Sequence, residues 1–168
     1  MENNQKIVCS NIWKLFGPNE KNVLSNLDQS LSRNEVQEKT GHVVAVKEVS
    51  FSVQKGETFV VMGLSGSGKS TLVRCLSRLI EPTSGLVTID GVDVTKMNNK
   101  ELTDLRRNRM SMVFQHFGLF PHRRVIENIG YGLEIRGVGK KERTEKSMET
   151  LKLVGLDGWD QHYPRELS

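Results

Sequence analysis

The run Gly63-Leu64-Ser65-Gly66-Ser67-Gly68-Lys69-Ser70 restricts the possible folds of this chain more than any other stretch. Gly63, Gly68, Lys69 and Ser70 hold the G-x-x-x-x-G-K-S/T spacing of a phosphate-cradling loop. The apolar residues 58–62 precede it and predict a strand. Thr71-Leu72-Val73-Arg74-Cys75-Leu76 follow it with helical periodicity. A strand, a glycine-rich turn and a helix in that order are the setting the loop requires, and they place the chain among α/β folds.

Anions are held here by backbone rather than by side chains. Glycines let the main chain curl so that its N–H groups point into the turn, and the following helix adds its first-turn donors and the positive end of its dipole. Residues Gly63, Leu64, Ser65, Gly66, Ser67, Gly68, Lys69, Ser70 and Thr71 are therefore the predicted ATP contacts. Lys69 is expected to reach the β- and γ-phosphates, Thr71 the α-phosphate, and the Ser70 hydroxyl to ligate Mg²⁺.

The chain has 168 residues and a formal net charge of +4, which suits one domain or part of a larger one. No stretch approaches the ~18–20 apolar residues of a membrane span, and the N-terminus has no signal-peptide core. Cys9 and Cys75 stand far apart and form no disulfide framework; Cys75 lies on the apolar stripe of the helix after the loop. These features predict a reducing cytoplasm. Basic clusters at Arg106, Arg107 and Arg109, and at Lys140, Lys141 and Arg143, are accompanied by acids. No aromatics interleave with them, so no nucleic-acid partner is expected.

Residues 7–16 read as an edge strand ended by Gly17-Pro18. The stretch 19–41 is polar, with a helix from Ser32, whose Ser-x-x-Glu spacing to Glu35 is a capping box, and with Val36 as its apolar anchor. Gly41 ends it. Strands are predicted over 43–46 and 49–53, over 86–89, closed by Asp90-Gly91, and over 110–114, which delivers Gln115. Helices are predicted over 100–107, 125–135 and 141–154. Strands alternating with helices argue for a largely parallel core.

Further pieces occur in a fixed order around the loop: Val46–Glu57 before it, then Pro82–Gly85 with Ile89-Asp90-Gly91, Val113-Phe114-Gln115, and Leu167-Ser168 after Tyr163-Pro164. In this the chain resembles the ATP-binding subunit of ATP-binding-cassette (ABC) transporters. Residues 12–17, 38–41, 62–65 and 115–122, with the long N-terminal stretch, resemble the importers for glycine betaine, proline and other quaternary amines. The resemblance implies an α/β fold of the P-loop NTPase type: an incomplete RecA-like core with an antiparallel β subdomain and the start of a helical subdomain. It divides the chain into an N-terminal extension, 1–42, and the first part of the ATP-binding domain, 43–168.

By the same resemblance, Gln115 is the Q-loop glutamine, a contact to ATP and Mg²⁺ that couples nucleotide state to the membrane subunit. Its neutral amide can both donate and accept there. His116 and His122 are expected to pack at the surface or in that loop. The family stacks adenine on an aromatic residue, and counting back from Lys69 puts that position near Thr40, with His42 close by. Leu167-Ser168 match the opening of the signature motif. The rest of the signature, the Mg²⁺-backing aspartate, the water-polarising glutamate and the switch histidine are expected beyond Ser168, so no catalytic residue is predicted within 1–168. Without later strands, 58–62 and 110–114 are expected to remain unpaired.

The implied partners are ATP, a transmembrane permease, a second ATP-binding subunit and, indirectly, an extracellular or periplasmic amine-binding protein, with the chain peripheral on the cytoplasmic membrane face. ATP hydrolysis coupled to uptake belongs to the full-length form. The alternatives are a non-hydrolytic nucleotide-binding module and an importer of another solute, such as an amino acid. DNA-associated cassettes carry long insertions that this chain lacks.

Overall fold

The first strand, β1 (Gln5–Phe16), is covered on both faces toward its end: Ile12, Trp13, Lys14 and Leu15 are all buried in succession. A half-buried strand would alternate. In the computed structural model, which describes residues 4–114 and 118–167, β1 lies between β2 (Val43–Gln54) and β3 (Ser84–Ile89), and the short β4 (Val92–Asp93) follows. The sheet order is β2-β1-β3-β4, and every ladder is antiparallel. The edge-strand expectation for 7–16 is thus corrected to an inner strand, and the expected parallel pairing is absent among the described residues.

A bulge accommodates this position. Asn11 takes φ 49°, its N–H donates to Ser50 Oγ (2.8 Å), and Gly85 leaves room for its carbonyl on the β3 side. The extra residue shifts the side-chain alternation within the strand. Before it, Cys9 is buried; after it, Trp13 and Leu15 point into a satellite core with Val44 and Val36.

That core is roofed by two short helices, α1 (Glu20–Ser25) and α2 (Arg33–Thr40), with Val23, Leu24, Leu27 and Leu31 packed against it. The capping box forms as expected: Glu35 N–H donates to Ser32 Oγ (3.3 Å) and Ser32 N–H to Glu35 Oε2 (2.8 Å). Gly41 closes α2 at φ 71°. The helix α1 lies in a stretch expected only to be polar.

Segments 58–62 and 110–114 do not become strands; neither joins a ladder among the described residues. A strand is stabilised by its neighbour, and an isolated one has little to hold it. In the first segment, Phe59 stacks on Phe51 of β2 (centroids 4.7 Å apart), while Val60 and Met62 are 66% and 86% exposed. In the second, Val113 is 99% exposed.

The remaining helices are α3 (Lys69–Leu76), α4 (Asn99–Asn108), α5 (Val125–Glu134) and α6 (Lys140–Leu153). The chain divides into two compact units, Met1–Thr103 and Asp104–Ser168. In the second, α5 and α6 approach closely where Gly130 faces Arg143 and Ser147. The first donors of α5 are satisfied from the chain beyond α6: Val125 N–H donates to the His162 carbonyl (2.8 Å) and Ile126 N–H to that of Asp160 (3.1 Å). The Asn128 side chain accepts from Phe120 N–H and donates to the Arg123 and Arg124 carbonyls, so residues 120–124 are fastened to α5. No helix of the described residues is long and apolar enough to cross a membrane.

Candidate functional site: a glycine loop seated on β2

The loop before α3 is positioned by backbone contact. Gly68, at φ 96°, sits so close to the Ala45 carbonyl of β2 that a Cβ there would collide with it. Gly66 turns at φ 77°. Both are left-handed conformations that glycine adopts at little cost. A Cβ at Gly63 would come within 2.8 Å of Ser67 Oγ. The turn closes with Ser67 N–H donating to the Leu64 carbonyl (3.2 Å).

Lys69 opens α3, and its ammonium folds back across the loop. Nζ donates to the carbonyl oxygens of Gly63 and Leu64, both at 2.7 Å, with Ser67 Oγ at 3.5 Å. A cation thus stands inside the ring of backbone that sequence reasoning assigned to phosphate. Gly68 is the helix N-cap and offers no side chain, so the first-turn N–H groups of α3 have no side-chain cap. Positive dipole, first-turn donors and ammonium lie together at one loop, which is the electrostatic requirement for a polyanion. Leu72 and Cys75 bury the opposite face of α3.

Ser70 lies exposed in this first turn, directly after Lys69. Its chemistry fits a hard cation that takes few protein ligands and keeps waters and phosphate oxygens, as Mg²⁺ does. No group of three His, Cys, Asp or Glu gathers among the described residues. Gln115, the other predicted metal and nucleotide contact, lies outside the described residues, as do His116 and Ser168. His122 is exposed, its ring edge-on to Phe120 at 5.9 Å, as expected of surface packing.

The predicted adenine position is corrected. His42 is only 4% exposed, and both of its ring nitrogens face backbone carbonyls, so it offers no stacking face. Counting back from Lys69 fails because 17–42 loop out of the sheet: Phe16 and Val43 are direct partners across β1 and β2. The exposed aromatic at this end of the sheet is Phe16, paired with Val43. Its ring is 41% exposed, with the Lys14 ammonium 5.1 Å from its centroid, and it sits two residues of β2 from the Ala45 carbonyl that backs Gly68.

Burial pushes both thiols up, Cys9 to about 12 and Cys75 to about 11. They remain protonated small hydrophobes and contribute packing rather than chemistry.

Comparison with known proteins finds relatives along almost the whole chain. Residues 46–168 match the family model described as ABC transporter. The chain is 51% identical over 162 residues to the trimethylamine N-oxide transport system ATP-binding protein TmoW of Pelagibacter ubique, covering 96% of the chain and 47% of TmoW. It is 51% identical over 163 residues to the glycine betaine/carnitine transport ATP-binding protein GbuA of Listeria monocytogenes, covering 97% and 41%. The chain thus spans less than half the length of these relatives. Among solved structures it resembles the ATP-binding cassette MJ0796, described as a dimer in a post-hydrolysis state bound to ADP and Pi, with TM-score 0.77 and 28% identity over 96% of the chain and 63% of that protein.

Proposed function

Because the chain belongs to the ABC transporter family, we propose that residues 63–71 bind Mg·ATP and that the chain forms the ATP-binding part of an importer for glycine betaine or a similar methylated amine. The observation that carries this reading is the Lys69 ammonium held at 2.7 Å by two carbonyls of its own loop. Phosphate oxygens entering the curl would take over those donor contacts, while the backbone N–H groups and the α3 terminus close on the same anion. Ser70 would hold Mg²⁺, which supplies charge neutralisation between the phosphates. Phe16 would carry the base on its exposed face. Gln115 would complete the site.

The relatives named for transport of trimethylamine N-oxide and of glycine betaine or carnitine align across 96–97% of this chain, including its N-terminal stretch. That breadth supports the methylated-amine class over other solutes. A permease, a second ATP-binding subunit and an amine-binding protein are the partners this role requires. A peripheral position on the cytoplasmic membrane face follows from the same role. We also propose the division into an extension, 1–42, and the start of the ATP-binding domain, 43–168.

Lys69→Ala should cost no more than about 1 kcal/mol of folding stability, because the half-buried side chain bonds only exposed carbonyls, which water can take over. It should weaken Mg·ATP binding about ten- to a hundred-fold, the loss of charge-assisted hydrogen bonds. Calorimetric titration of both proteins checks this, and equal affinities would overturn the nucleotide reading. Disrupting the gene in its host should remove uptake of labelled glycine betaine or trimethylamine N-oxide; unchanged uptake of both would overturn the solute class.

A further inference from the structure

Lys14 is only 6% exposed, an unusual place for an ammonium, and it stands two residues before Phe16 on β1. Side chains two apart on a strand share a face. Its Nζ lies over the Phe16 ring, 5.1 Å from the centroid. The same Nζ donates to both carboxylate oxygens of Glu20, at 2.8 and 2.7 Å. Glu20 opens α1, where a negative charge complements the helix dipole. An ion pair taken out of water does little more than offset its own desolvation, and apolar side chains of similar size would serve the packing as well. Packing therefore does not call for a charge at this position; the ring beside it does.

The register ties this end of β1 to the glycine loop. Lys14 stands opposite Val46, Leu15 opposite Val44 and Phe16 opposite Val43. The shift passes over Ala45, whose carbonyl is the one against which Gly68 is seated.

We infer that Lys14 is a positioning residue for the base: its ammonium, fixed by Glu20, holds one face of the Phe16 ring and leaves the other to the purine. This rests on the reading of Phe16 as the platform for the base. A cation is attracted to the face of an aromatic ring within about 6 Å of its centroid, most strongly when desolvated. Both conditions hold here, and the ion pair fixes where the ammonium stands. Phe16 ends its strand with its ring exposed, so the core does not clamp it and the contact with Lys14 limits its swing. Electron density drawn toward the ammonium leaves the far face less negative, which favours offset stacking of an electron-rich purine.

The experiment uses the full 168-residue chain, with Mg·ATP and magnesium tripolyphosphate as probes. Tripolyphosphate offers the phosphates without a base, so the ratio of the two affinities isolates what the base contributes. Lys14→Met combined with Glu20→Gln removes both charges and leaves no carboxylate unpaired. In this double variant the ratio of ATP to tripolyphosphate affinity should fall about five-fold, the effect of one desolvated contact between cation and ring, with tripolyphosphate affinity unchanged. Lys14→Arg should keep the ratio, because a guanidinium also stacks on aromatic faces. A loss shared equally by both probes marks a merely structural role and overturns the inference, as does an unchanged ratio. In the native chain, proton NMR should find the Lys14 ε-methylene signals shifted upfield by the Phe16 ring, and moved again by Mg·ATP but not by magnesium tripolyphosphate. Failure of either shift overturns the inference even where the variants do not fold. Phe16→Ala separates the two readings. If it leaves the ratio unchanged, the platform falls and the role of Lys14 with it. If it lowers the ratio and the double variant does not, the platform stands and Lys14 has no part in it.

Discussion

The antiparallel sheet and the glycine loop meet along β2, at Ala45, yet they are held in opposite ways. The sheet is specified by side chains: Ile12, Leu15, Val87 and Val36 are almost fully buried, and helices with a capping box and a glycine stop lie over it. The loop is specified by backbone, with left-handed glycines, a lysine bonded to carbonyls, and apolar neighbours such as Val60 and Met62 left at the surface. Burial stabilises the first region without any ligand. The second gains its missing contacts only from something it binds, because its polar groups are aimed at a space rather than at a core.

Truncating the sheet's core should produce the largest effect. Leu15→Ala is expected to destabilise the chain by about 2–5 kcal/mol, through lost burial and the cavity left behind. A midpoint shift in urea denaturation measures this; a change below about 1 kcal/mol would mean the satellite core is not cooperative with the sheet. Gly68→Ala tests the seam between the regions. The new Cβ meets a backbone carbonyl at a left-handed φ, so about 1–3 kcal/mol of strain is expected, together with loss of Mg·ATP affinity. Retained affinity would show that the loop does not depend on its seat against Ala45.

On the exposed flank, Val60→Ser should change stability by less than about 0.5 kcal/mol and reduce self-association, read by denaturation and light scattering. A large loss would reveal packing around 58–62 that the present fold lacks. The smallest effect concerns pH. Hydrogen bonding to Ser32 holds the Glu35 carboxyl below its ordinary range. Its contribution to α2 is therefore complete above the unfolded carboxylate value, about pH 4.3, and is lost as pH falls through the lower folded value. Protection of the α2 amides, relative to their intrinsic exchange rate at each pH, should fall only under such acid conditions, and Glu35→Gln should flatten that response.

The two regions were also unequally legible from sequence. Local rules with fixed spacing carried over directly: the Ser32–Glu35 box, the Gly41 stop and the loop from Gly63 to Ser70 all formed where expected. What escaped depended on distant partners. The place of β1 inside the sheet is set by its pairing with β3, some seventy residues away. Segments 58–62 and 110–114 carry strand-forming residues, but propensity does not supply a neighbour to pair with. Phe16 was hidden by arithmetic, since a count along the chain cannot see that 17–42 return to their starting point. The α1 stretch, Glu20–Ser25, has too few apolar positions to stand out, and becomes helical because Val23 and Leu24 find the satellite core.

The fastening of Val125 and Ile126 to the carbonyls of His162 and Asp160 makes a mechanical splice. Residues 120–124 on one side and the approach to Leu167 on the other are thereby tied to the same end of α5.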